Sequence, residues 1–161
     1  MRNPVPLLSL VLAAGVAGCT SKAPGSTAAD ERKLLELHAD VLRAHMDRDV
    51  DELLAHQADD FLLLNRGEIS HPSKEKQKEF LGPYLAATTF EYYRDKAPPV
   101  VKVSRDGSLG WVAAQIEARG TTVTREGEQK PLEFEVAWIE LYERRGTEWT
   151  SVGNASSFKA D

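Results

Sequence analysis

The 161-residue chain contains a single cysteine, Cys19, so no disulfide can form within it. It has no apolar run long enough to cross a bilayer: the longest, about Val5 to Val16, is broken by Pro6 and Ser9 and falls short of the ~20 residues a spanning helix needs. It has no cluster of Lys and Arg that could follow a row of phosphates, and its net charge is −5, which excludes nucleic acid as a partner. A basic amphipathic helix for the membrane surface is also absent, as is any internal repeat.

What is present begins at the N-terminus. Arg2, the apolar stretch and then small residues follow one another in the order of a cleaved export signal. Val16-Ala17-Gly18-Cys19 resembles the lipobox of bacterial lipoproteins, in which an aliphatic and two small residues precede the lipidated Cys. That resemblance implies cleavage after residue 18 and lipid attachment at Cys19, whose acyl chains are then the membrane contact. The folded part has no thiol, and losing Arg2 with residues 1–18 takes the net charge from −5 to −6. Thr20, where Asp would retain a lipoprotein in the inner membrane, implies a cell-envelope location, on the outer membrane facing the periplasm in a diderm bacterium. Residues 19–30 read as the lipidated Cys and a flexible tether, small and polar with Pro24 and Gly25, spanning ~18 Å.

Residues 31–161 are enough for one core and too few for two. Leu34, Leu37, His38, Val41, Leu42 and His45 recur at helical spacing, which predicts an amphipathic helix over 31–46. Asp49 with Glu52 has capping-box spacing for a short helix over 50–57. Phe61 to Leu64 reads as a buried strand, Asn65-Arg66-Gly67 as a turn, and Ser73 as the cap of a third helix over about 74–85, interrupted near Gly82-Pro83. Strands follow over 89–94, 100–105, 109–124, 132–144 and 148–158, with turns at Asp106-Gly107, Glu126-Gly127 and Gly146. Leu132, Phe134, Val136, Trp138, Glu140 and Tyr142 share one strand face. Helices followed by strands make an α+β domain, and a bent sheet under a helical lid encloses a pocket.

This order resembles the nuclear-transport-factor-2-like superfamily, and within it the SnoaL-like group of unknown function. The resemblance rests on Ala58-Asp59-Asp60-Phe61 leading a strand. It rests also on the ending: Trp138, Tyr142-Glu143-Arg144, Trp149, then Val152 to Phe158. It implies a cone-shaped fold, three N-terminal helices packed on a curved antiparallel sheet, with a pocket and a possible homodimer through the sheet. A lipocalin-like barrel would not explain the helices. The ketosteroid isomerases of this superfamily carry a general-base Asp just after the first strand, where this chain has Asn65, and a Tyr on the first helix, where residues 31–46 have none. An amide cannot accept a proton near neutrality.

No catalytic constellation stands out. Glu140 is the one candidate acid or base: a pocket setting between Trp138 and Tyr142 would raise its pKa, and a rim setting would leave it solvated or paired with Arg. Trp111, Gln115, Trp138, Tyr142 and Asn154 are the pocket candidates, with Glu117 on the face of Gln115 and Ser156 on that of Asn154. His38 and His45 lie two helical turns apart, ~10 Å, too far to share an ion. With His56 they read as part-buried helix residues, and no metal or other cofactor is expected. The leading expectation is a lipid-anchored envelope module, non-catalytic, holding a small apolar molecule or serving interactions. The alternatives are an isomerase-, cyclase- or dehydratase-type envelope enzyme using a pocket carboxylate, and an accessory partner of another envelope protein.

Overall fold

A computed structural model describes residues 27–159. The export segment, Cys19 and most of the tether lie outside the described residues. The chain runs α1 (Thr27–Asp47), α2 (Val50–Leu54), β1 (Gln57–Asn65), β2 (Glu68–Ser70), α3 (Lys74–Ala87), β3 (Thr88–Asp95), β4 (Val100–Val103), β5 (Leu109–Val123), β6 (Gln129–Arg145) and β7 (Glu148–Phe158). The three helices, the caps and the long strands are in the expected order, but α2, expected over 50–57, ends at Leu54, β1 already begins at Gln57, and β2 is added. Asp49 accepts from the backbone N–H groups of Asp51 and Glu52, and Ser73 accepts from that of Lys76, so both short polar side chains start their helices. Gly67, Gly107, Gly127 and Gly146 adopt positive φ in the hairpin turns, which their lack of a Cβ permits.

Two expectations are corrected. Residues 27–30, placed in the tether, form the first turn of α1. Asp30 pairs with Arg144 and accepts from Trp149 Nε1–H (3.3 Å), while Arg144 Nε–H donates to Gly107 O (2.9 Å). The turn is held by residues more than a hundred positions away, which local composition does not reveal. The third helix also passes through Gly82-Pro83 to Ala87, although Pro83 lacks the N–H of a helical hydrogen bond.

One mixed sheet has the order β2-β1-β7-β6-β5-β3, with β4 also on β5. All pairings are antiparallel except β1 with β7, which are parallel, so the expected antiparallel sheet contains one parallel pair. Register breaks in the β1–β7, β3–β5 and β6–β7 pairs bend the sheet. At Gly120 a Cβ would lie 2.2 Å from Thr89 O, so only glycine lets β3 approach β5 there.

The concave face packs on the helices in two apolar clusters. Leu34 and Leu37 of α1 meet Val112, Tyr142 and Trp149. Ala44, Leu53 and Leu85 meet Phe90, Tyr93, Ala114, Ile116, Ala118 and Val136. Between them α3 packs mainly against α2 and β3, and a cavity opens over β6, β7 and β1.

Candidate functional site

The cavity has a volume of about 670 Å³, within the usual range for small-molecule sites. Its floor follows from strand register. Glu140, Asn154 and Leu63 are successive cross-strand partners on the concave face, flanked by Trp138 opposite Ser156 and Tyr142 opposite Ser151. The register break in β7 shifts the inward-facing positions from Ser151 to Asn154 and Ser156. Leu37, Val41 and His45 of α1 and Phe80, Leu81 and Tyr84 of α3 form the walls, with Phe134 and Phe158 toward the opening.

Of the sequence candidates, Trp138, Tyr142, Asn154 and Glu140 all line this cavity. Trp111 and Gln115 do not. Strand β5 turns its small aliphatic set, Val112, Ala114, Ile116 and Ala118, inward, and the odd positions face out. Glu117 goes with them and binds Arg94 at 2.8 Å. Asn65 does reach the cavity.

Glu140 is 6% exposed and stands at the centre of a polar network under the floor. His38, 2% exposed on α1, places Nδ1 at 3.3 Å from Glu140 Oε2 and Nε2 at 3.0 Å from Asp95 Oδ1. A carboxylate faces each ring nitrogen, and only the doubly protonated imidazolium donates to both. Burial pushes the His38 pKa down, but the hydrogen bonds and charges of Glu140 and Asp95 outweigh it and the net shift is upward. Tyr142 O–H donates to the same Oε2 at 3.1 Å. Burial, then Glu140, raises the Tyr142 pKa and keeps the phenol neutral.

This network was not visible in the sequence. His38 read as a part-buried helix residue, and its partners lie 57 and 102 positions away. Helical spacing put it on the inner face; nothing local named what it would meet.

Among the described residues, Trp138 Nε1 and Asn65 Oδ1 are buried without a hydrogen-bond partner. Both residues line the cavity, but these two atoms are closed off from solvent, and each is a local cost to stability. On the rim, Asp40, Glu52 and His56 bring potential ligand atoms within 4.8 Å of one another. Arg43 already binds Asp40 at 2.7 Å and lies 4.0 Å from Glu52, so this trio is part of a surface ion-pair set.

Solved structures share this architecture. A ketosteroid isomerase-like protein from Erwinia carotovora atroseptica is 18% identical with a TM-score of 0.63, the match covering 82% of this chain and 98% of that one. A nuclear-transport-factor-2-like protein of unknown function from Pseudomonas putida is 18% identical with a TM-score of 0.62, covering 85% and 92%. The association domain of C. elegans CaMKII is 14% identical with a TM-score of 0.59, covering 82% and 98%. These likenesses define the class: the chain has the nuclear-transport-factor-2-like fold, α+β, with helices on a curved open sheet. No protein-family model and no curated protein matches the sequence.

Proposed function

We propose that this protein is a non-catalytic binding module of the cell envelope, anchored through a lipidated Cys19, whose cavity holds a small, mostly apolar molecule. The observation that carries the binding half is the cavity itself, about 670 Å³ with mostly apolar walls. A closed core would fill that volume with its own side chains. The anchoring half rests on the lipobox-like Val16-Ala17-Gly18-Cys19 alone. In a diderm source the protein would sit on the outer membrane facing the periplasm.

The test is native mass spectrometry of the protein after incubation with an extract of the source cells. A discrete retained small-molecule mass supports the module, and a clean unliganded mass over the full extract overturns its ligand-binding half. Cys19→Ala should move the protein from the membrane to the soluble fraction, and continued membrane association would overturn the lipid anchor.

A second reading has its own observation. Glu140 is a buried carboxylate at the cavity floor, oriented by His38 and Tyr142, which is the setting of a general acid or base. Under this reading the protein is an envelope enzyme of isomerase, cyclase or dehydratase type, and Glu140→Gln abolishes turnover of whatever ligand the extract yields. Asn65 weighs against chemistry of the ketosteroid isomerase kind.

For partners, the convex sheet face carries a band of Leu64, Ala155, Ile139 and Ala113 beside Leu62, Leu141 and Trp111, set by cross-strand register. This band is the surface on which a second copy would dock.

A further inference from the structure

The lining residues that carry charge are not equivalent. Glu52, Arg66 and Lys76 are exposed at the rim, where water screens them, and Asp40 is half-buried and bound to Arg43. Glu140 alone is buried. Both of its hydrogen bonds, from His38 and Tyr142, go to Oε2, and Oε1 receives none among the described residues. Two carboxylates, Glu140 and Asp95, face the one His38 ring, so the network holds more acidic groups than basic ones.

The walls have matching chemistry. Trp138 and Tyr142 flank Glu140 on β6, and Tyr93, Tyr84 and Phe134 complete an aromatic lining. Aromatic faces attract cations, most strongly where water is excluded. Among the described residues, no buried Lys or Arg lines the cavity to receive an anion. His45, which does line it, has its pKa pushed down by burial to about 4 and is neutral.

We propose that the cavity selects an organic cation, an apolar molecule bearing a protonated amine, with the ammonium on Glu140 Oε1 and the body against the aromatic walls. This names the ligand class of the binding module proposed above and rests on that reading. A neutral alcohol fills the same volume but forfeits the charge-assisted bond, and a carboxylate meets Glu140 head-on.

The experiment is isothermal titration calorimetry of the full-length protein at pH 7.5 with three straight-chain probes: octylamine, 1-octanol and octanoate. Octylammonium should bind about tenfold more tightly than octanol, the difference between a charged and a neutral hydrogen bond, with octanoate weakest. Glu140→Gln should level the affinities for amine and alcohol. Glu140→Asp keeps the charge and should keep a preference for the amine, which separates lost recognition from lost folding. Equal affinity for amine and alcohol in the wild type, tightest binding of octanoate, or an amine preference that survives Glu140→Gln overturns the cation proposal and leaves the binding module standing. Failure of all three probes overturns both.

Discussion

His38 and His45 occupy the same face of the same helix, two turns apart, and the structure treats them in opposite ways. His38 sits between two carboxylates, whose hydrogen bonds and charges outweigh its burial and raise its pKa. His45 stacks on Tyr93 with ring centroids 4.1 Å apart, donates Nδ1–H to Val41 O at 2.8 Å, and is held neutral, its pKa down at about 4. Both rings are desolvated, and desolvation lowers both pKa values; what differs is whether a carboxylate waits on the sheet. Along β6 the strand offers Glu140 to the first histidine, while the second meets only aromatics from β3. The inner face of α1 is therefore an electrostatic end and an aromatic end, and the cavity lies along both. For the proposed ligand, that division sets the charged head at one end and the apolar body at the other.

The comparison breaks most visibly at its charged end. His38→Leu leaves Glu140 buried without its cation and should cost about 3–5 kcal/mol in a denaturant titration. Adding Glu140→Met to that variant should restore more than half of the loss, because two apolar side chains then replace the pair. A loss below about 1 kcal/mol for His38→Leu would mean that the network carries no ion pair. The aromatic end is broken by acid. Because the folded pKa of His45 is depressed to about 4 from the unfolded 6.5, the folded state resists its protonation, and stability falls as pH drops through that window, by about 3 kcal/mol in full. His45→Phe keeps the stack on Tyr93 and removes the titration, so its stability should decline less steeply between pH 6.5 and 4. A slope unchanged from wild type would show that His45 is not the group responsible.

Much of this was legible in the sequence, and the parts that were not share a cause. Asp49 and Ser73 announced their helices because a cap bonds to backbone within three residues. Asp106-Gly107 and Glu126-Gly127 announced hairpins for the same local reason. The alternation of β6 put Trp138, Glu140 and Tyr142 on one face, and all three line the cavity. The same rule sorted β5 correctly into two sets but could not say which was inward, since Trp111 looked more core-like than Ala114 or Ala118. The parallel pairing of β1 with β7, the parity change in β7, and the meeting of His38 with Asp95 and Glu140 are contacts between distant segments. A periodic pattern specifies which side chains share a face, and only the assembled fold specifies what that face meets.

Asp95 offers a gentler way to divide the two ends. It is more accessible than Glu140, with its side chain 26% exposed, so water can replace part of what it gives His38. Asp95→Asn should therefore cost about 1.5 kcal/mol, well below the His38→Leu loss, and the amide oxygen can still accept from Nε2–H. The His38 pKa should fall in this variant while that of His45 stays near 4.

The smallest effect, and the sharpest, is the titration of the two rings in one sample. Followed by NMR through their imidazole carbons, His45 should titrate near 4 and His38 above 6.5, opposite sides of the ordinary histidine value. The sign of the stability contribution follows. A raised folded pKa means that folding favours the protonated ring, so the contribution of His38 is fully present below pH 6.5 and is lost as pH rises through the folded value. His45 works the other way, its contribution lost on acidification. The two slopes oppose one another across neutrality, which predicts a stability maximum bounded by one histidine on each side. His38→Gln should remove the alkaline shoulder and leave the acid one, and His45→Phe the reverse. If either substitution altered both shoulders alike, the two ends of α1 would be one coupled unit, and the division of the cavity into a charged end and an aromatic end would fail with it.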